Sequence, residues 1–108
     1  MDKNSVFLNN NTGNVVLVPG NVYQVSFQPN GRWPAFNTIL EFIVHTRWDG
    51  GYVFRVIDRK HQDILRKVQG SPTGESISYR RDELRSAKFK SSTALNVLYG
   101  QIKKDPQP

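Results

Sequence analysis

Residues 39–58 read ILEFIVHTRWDGGYVFRVID. Ile39 to Trp48 and Tyr52 to Asp58 are rich in β-branched and aromatic residues, which suit the pleated, half-buried surface of a sheet. Asp49-Gly50 stands between them, a pair that tolerates the positive φ of a tight two-residue hairpin turn. The stretch therefore predicts two antiparallel strands joined at Asp49-Gly50. Alternation puts Val53, Arg55, Ile57 and Arg59 on one face of the second strand, and Tyr52, Phe54, Val56 and Asp58 on the other. A second turn at Lys60-His61 returns Asp63 to Val68 as a third strand. In that register Arg55 faces Arg66, beside the pair Ile57 and Ile64.

Working outward toward the N-terminus, Ser5 to Leu8 predicts a short strand, followed by the Asn-rich turn Asn9 to Asn14. Val15 to Val18 and Val22 to Phe27 predict two more strands, separated by the turn dipeptide Pro19-Gly20. In the second of these Tyr23, Val25 and Phe27 lie on one side, Gln24 and Ser26 on the other. Gln28 to Asn37 holds Pro29, Gly31 and Pro34 and reads as a loop. Toward the C-terminus, Gln69 to Glu75 is loop by composition. Ile77 and Tyr79 alternate as in a strand, whereas Arg80 to Lys88 has the composition of a short charged helix. From Ser92 a helix is expected: Ser91, Ser92 or Thr93 can cap it, and Leu95, Leu98 and Ile102 recur at helical spacing. Lys103-Lys104 then sits where the helix dipole favours cations.

These elements predict an α+β fold in a single domain, 1–108. N-terminal strands and a loop occupy 1–38, and a β-β-β-(insertion)-α core occupies 39–104. The sheet is mainly antiparallel, with a three-stranded meander, and packs against a C-terminal helix. Asp49-Gly50-Gly51-Tyr52-Val53-Phe54-Arg55-Val56-Ile57-Asp58 resembles the Gly-Tyr-x-Phe core of the YegP-like family, whose repeats run β-β-β-α. Asp63-Ile64-Leu65 is similar to that family's third strand, and Phe89 to Val97 to the beginning of its helix. The resemblance spans residues 40–104, with 69–88 as an insertion, and implies architecture more than activity.

The 108 residues suffice for a hydrophobic core without metal or disulfide staples. Cysteine is absent, which excludes disulfide scaffolds, thiolate zinc sites and cysteine nucleophiles. The apolar run Phe42 to Val44, with Ile39 and Leu40, is interrupted by Glu41 and is far too short to span a membrane. Met1-Asp2-Lys3-Asn4 lacks the basic-then-apolar order of a signal peptide, so a cytoplasmic location is expected. His45 and His61 are a strand apart and in no metal-ligand spacing. Asp82 and Glu83 are adjacent and point differently, a poor geometry for acid/base work. Gly50-Gly51 is a turn, not a phosphate cradle. Catalysis, a bound metal and a cofactor are therefore not expected.

Charge carries the functional signal. The chain is +6, and residues 47–104 hold thirteen Lys or Arg against six Asp or Glu. Such a basic half attracts polyanions. Arg47, Arg55, Arg59 and Arg66, with Trp48 and Tyr52 near the hairpin, form a candidate nucleic-acid face: cations for phosphates, rings for a base. Arg80, Arg81, Arg85, Lys88 and Lys90 form a second row suited to phosphate contact. The same charges also fit a plain solvated surface. The sequence thus points to a non-enzymatic binding module for nucleic acid or an acidic protein surface. The alternative is a protein-interaction or assembly component, such as a complex subunit or a phage-type structural or inhibitor protein, with self-association compatible. Trp33, in Gly31-Arg32-Trp33-Pro34, either plugs the core edge or serves as a binding anchor. With Trp48 and the Asn-rich loops it also suggests a sugar-binding domain.

Overall fold

The β-branched and aromatic runs become strands, but they divide between two sheets. The fold is seen in a computed structural model that describes residues 5–11, 13–29, 35–68, 70–91 and 94–98. A separate antiparallel hairpin pairs β1 (Val6–Asn10) with β2 (Gly13–Leu17). The main sheet is built from β3 (Val22–Phe27), β4 (Phe36–His45), β5 (Tyr52–Val56), β6 (Ser76–Tyr79) and β7 (Lys88–Ser91). Its order is β6-β5-β4-β3-β7, antiparallel at every pairing. Helix α1 (Arg59–Val68) separates β5 from β6, α2 (Arg81–Leu84) carries the chain over to β7, and α3 (94–98) follows. The architecture is α+β, with the five-stranded sheet packed against a helix.

One face of the sheet makes the core. Val25, Leu40, Phe42, Phe54 and Val56 are buried there with Tyr23 and Tyr52, and Phe27, Ile77, Tyr79 and Phe89 close its margins. Leu65 of α1, Leu84 of α2, Ala87 and the hairpin residues Leu8 and Leu17 cover this face. The sheet is curled around its aromatics. Phe54 on β5 lies 6.3 Å, ring to ring, from Phe89 on β7, although a flat sheet would set those strands about 14 Å apart. Phe27 and Tyr79, on β3 and β6, are 5.2 Å apart. Tyr23 fixes the hairpin to this layer: its hydroxyl accepts from the Val18 N–H at 2.9 Å and donates to the Val16 carbonyl at 3.3 Å. At the other end of β1, Asn10 donates through Nδ2 to the Ala87 carbonyl at 2.8 Å.

The expected third strand over 63–68, with a turn at Lys60-His61, is instead the helix α1. Its buried residues, His61 and Leu65, are four apart, the spacing of one helical face. Asp58 caps it, accepting the Lys60 N–H at 3.0 Å. Arg66 and Lys67 occupy the last turn, where the helix dipole favours cations. The residues compared with the YegP-like third strand are therefore helical. The third strand of the meander is β6, within the expected insertion. Arg80 to Lys88 gives only the short α2, and Lys88 belongs to β7. The β4–β5 hairpin is as expected, but its loop is wider than two residues. Thr46 and Gly51 close it, the Thr46 N–H bonding the Gly51 carbonyl at 2.8 Å, and only Gly50 has a positive φ.

Two predictions arise from this packing. Beyond the end of β7, Asn96 of α3 replaces a strand residue beside Val22: its Oδ1 accepts the Val22 N–H at 2.7 Å and its Nδ2 donates to the Val22 carbonyl at 3.2 Å. Asn96→Ala should lower stability by about 1–3 kcal/mol, since both backbone groups lose their partner. A urea denaturation midpoint checks it.

His61, 4% exposed, shares a 2.8 Å hydrogen bond with Thr38 through Nδ1 and meets the Phe36 ring edge-on at 4.9 Å. Burial pushes its pKa below the ordinary 6.5, against a smaller opposing pull from Asp58. The unfolded chain therefore takes up a proton that the folded chain refuses. His61 contributes its full stability above pH 6.5, and loses it progressively as the pH falls below that value. The slope is at most about 1.4 kcal/mol per pH unit. His61→Phe should flatten this part of the stability profile, measured by denaturation at pH 7.5, 6.5 and 5.5.

Candidate functional site

The face of the main sheet opposite the core carries polar residues together with Ile39 and Val53, and is covered at Val22 and Glu41, which are buried. β3 presents Gln24 and Ser26, β4 presents Asn37, and β6 presents Ser76 and Ser78. β7 adds two cations: Lys90 lies opposite Gln24 and Lys88 opposite Ser26. Both are exposed, and neither has a carboxylate partner among the described residues. Beside them lies a shallow recess of about 380 Å³ lined by Gln24, Ser26, Asn37, Ile39 and Asp58.

On the far side of this face Arg55 does not meet Arg66. Across β4 its neighbour is Glu41, Nε to Oε1 3.4 Å, with the Glu41 side chain buried and that of Arg55 open. Arg66 is on α1, held by Asp63 and donating to the Thr73 carbonyl at 2.7 Å. It therefore ties the helix to the 71–74 loop and is not part of any basic strand face. Arg59 opens α1 and is exposed.

Arg47 and Trp48 lie in the β4–β5 loop, Trp48 86% exposed. Tyr52 is unsuited to stacking a base: it is 6% exposed and its ring lies 4.1 Å from His45 at 22°. Arg80 precedes α2, where its N–H bonds Glu83 Oε1 at 2.8 Å, Arg81 opens that helix and Arg85 follows it, both exposed. They share a connection rather than a face with Lys88. Of the residues expected in the two basic clusters, Arg55, Lys88 and Lys90 share the open sheet face. The polar floor around them could have been located from the 22–27 alternation. Trp33 lies outside the described residues, as do Ile102, Lys103 and Lys104.

The chemistry available on this face is recognition. Lysine ammonium groups are flexible point charges, and amides and hydroxyls both donate and accept. Every described ring of the main sheet belongs to its core face, leaving no stacking platform beside Lys88 and Lys90. Among the described residues no group of three or more His, Asp or Glu could hold a metal, and no helix is long and apolar enough to cross a membrane. Asp49 is held below the usual carboxylate range by the Thr46 hydroxyl and then the Gly51 N–H. Burial, helped by Glu83, pushes the Tyr79 phenol well above its ordinary value. Both groups serve structure. No known family, curated protein or solved structure matches the chain.

Proposed function

We propose that the protein is a non-enzymatic binding module that holds a nucleic-acid backbone on the open face of its main sheet. The observation that carries this reading is the placement of Lys88 and Lys90, uncommitted to any described carboxylate, opposite Ser26 and Gln24. Those two residues line a recess together with Asn37, Ile39 and Asp58. Lysines in this setting contact phosphates, while Gln24, Ser26 and Asn37 have the groups to meet sugar hydroxyls or base edges. Without an exposed ring on the face, contact is electrostatic and only weakly dependent on sequence. Arg47, Arg80, Arg81 and Arg85 lie off this face and add long-range attraction to the whole.

Anisotropy titrations with labelled single- and double-stranded DNA and RNA test it. Binding is expected at low salt and should fall linearly in log K against log salt, with a slope of about −0.7 to −0.9 per phosphate contact. No binding to any of the four at low salt would sink the proposal.

A further inference from the structure

A second recess, of about 610 Å³, lies away from Lys88 and Lys90, between the start of β1 and the end of β4. Val6, Phe7, Pro19, Ile43 and Val44 form its apolar part, and Ser5, His45 and Arg47 complete the lining. Phe7 is 63% exposed, Ile43 38% and Val44 45%. The two β4 residues are exposed for a specific reason. The β4–β5 register slips between Phe42 and Val44, which pair with Phe54 and Val53, so Ile43 is the extra residue of a bulge. A bulge re-aims side chains locally, and here consecutive apolar residues, Ile43 and Val44, both reach the surface. Contiguous exposed apolar surface on a small domain marks an interaction site more often than scattered single residues do.

The rim states what kind of partner fits. Arg47 lines the recess, and no Asp or Glu among the described residues does. Asp49, two residues beyond Arg47, is engaged within its own loop by the Thr46 hydroxyl and the Gly51 N–H, and Glu41, two before Ile43, is paired with Arg55. His45 forms a fixed wall, stacked on Tyr52 with Nδ1 3.1 Å from the Gly51 carbonyl. A second copy of the chain would bring another +6 charge toward this cationic rim and is disfavoured. We propose that the recess docks an apolar segment of another protein that carries an aspartate or glutamate. Its apolar side chains rest on Phe7, Ile43 and Val44, and its carboxylate meets Arg47.

The test is selection of binders from a random peptide library displayed on phage, using the full chain. Selected peptides should be enriched in apolar residues together with Asp or Glu. Synthesised singly, they should bind the wild type at least tenfold more tightly than Arg47→Glu and Phe7→Ser, and should lose as much when their acids become Gln. Arg47 is in an exposed loop, so its variant keeps the fold even if Phe7→Ser does not. Lys88→Glu/Lys90→Glu should weaken peptide binding no more than a few-fold, the effect of net charge, which separates this site from the nucleic-acid face. The proposal is overturned if no peptide is enriched, if enriched peptides bind both variants as well as wild type, or if acid-to-amide changes have no effect. It is overturned equally if sedimentation shows a concentration-dependent dimer that Arg47→Glu or Phe7→Ser abolishes, since a second copy would then fill the recess.

Discussion

Gly74→Ala is expected to destabilise the fold by about 3–4 kcal/mol, a large loss for the addition of one methyl group. Gly74 is buried, at φ +70°, against the main chain of α1. A Cβ there would overlap the Gln62 carbonyl oxygen and stand 2.9 Å from its carbon and 3.0 Å from its Cα. These are backbone atoms in the helix, so relief requires α1 or the 71–74 loop to move. Moving either loosens the Arg66 bond to the Thr73 carbonyl and the Gly74 N–H bond to Ser71 Oγ, 3.0 Å. Gly70 is the internal control. Its φ is +69°, but nothing lies within 4 Å of a Cβ at that position, so Gly70→Ala should cost only the left-handed penalty of about 1–2 kcal/mol. Urea denaturation of the two variants separates conformation from contact. Equal midpoints would show that the approach of Gly74 to Gln62 has no energetic weight.

The same segment shows where local reading of the sequence stopped being sufficient. Tyr23, Val25 and Phe27 alternate with polar residues, and one strand per run follows directly; β3 and β5 are legible for that reason. Residues 59–68 are not, because Ile64 and Leu65 are neighbours and fit either period. The residue that decides the matter is Leu65, buried with His61, while Ile64 is 42% exposed and Val68 64%. The capping signals were present: Asp58 before the first turn, Arg66-Lys67 in the last, Gly70 beyond it.

The partition of the basic residues was less accessible still. Arg55 meets Glu41 because β4 pairs with β5 on that side, and Lys88 reaches the sheet because the chain crosses over to pair β7 with β3. The β4–β5 pairing is legible from Asp49-Gly50, but its register is not, being shifted by the wider loop and the bulge at Ile43. The β7–β3 crossover is encoded in no local period. The role of Asn96 is hidden in the same way, since a side-chain amide standing in for a strand leaves no pattern. The apolar recess depends on a one-residue bulge, and Ile43-Val44 read as ordinary strand without the register.

Lys88→Glu/Lys90→Glu is expected to weaken nucleic-acid binding about 100-fold, roughly tenfold or 1.4 kcal/mol for each lysine. It should also reduce the slope of log K against log salt by about 1.5–2, the loss of two phosphate contacts. Both side chains are exposed on an edge strand, so the melting temperature should barely change. The decisive comparison is Lys60→Glu/Lys67→Glu on α1, also exposed, which changes the net charge by the same amount. If affinity came from net charge alone, the two doubles would weaken binding equally. If the polar face of the sheet is the site, the α1 variant should lose only a few-fold, and its salt slope should stay near wild type. Arg55 is left out of this test because reversing it would set a carboxylate beside the buried Glu41, mixing a stability loss into the binding result. Equal losses in the two doubles would refute the assignment of the face while leaving a basic protein that binds polyanions diffusely. A selective loss at Lys88 and Lys90, with the salt slope reduced, would support phosphates lying along β7.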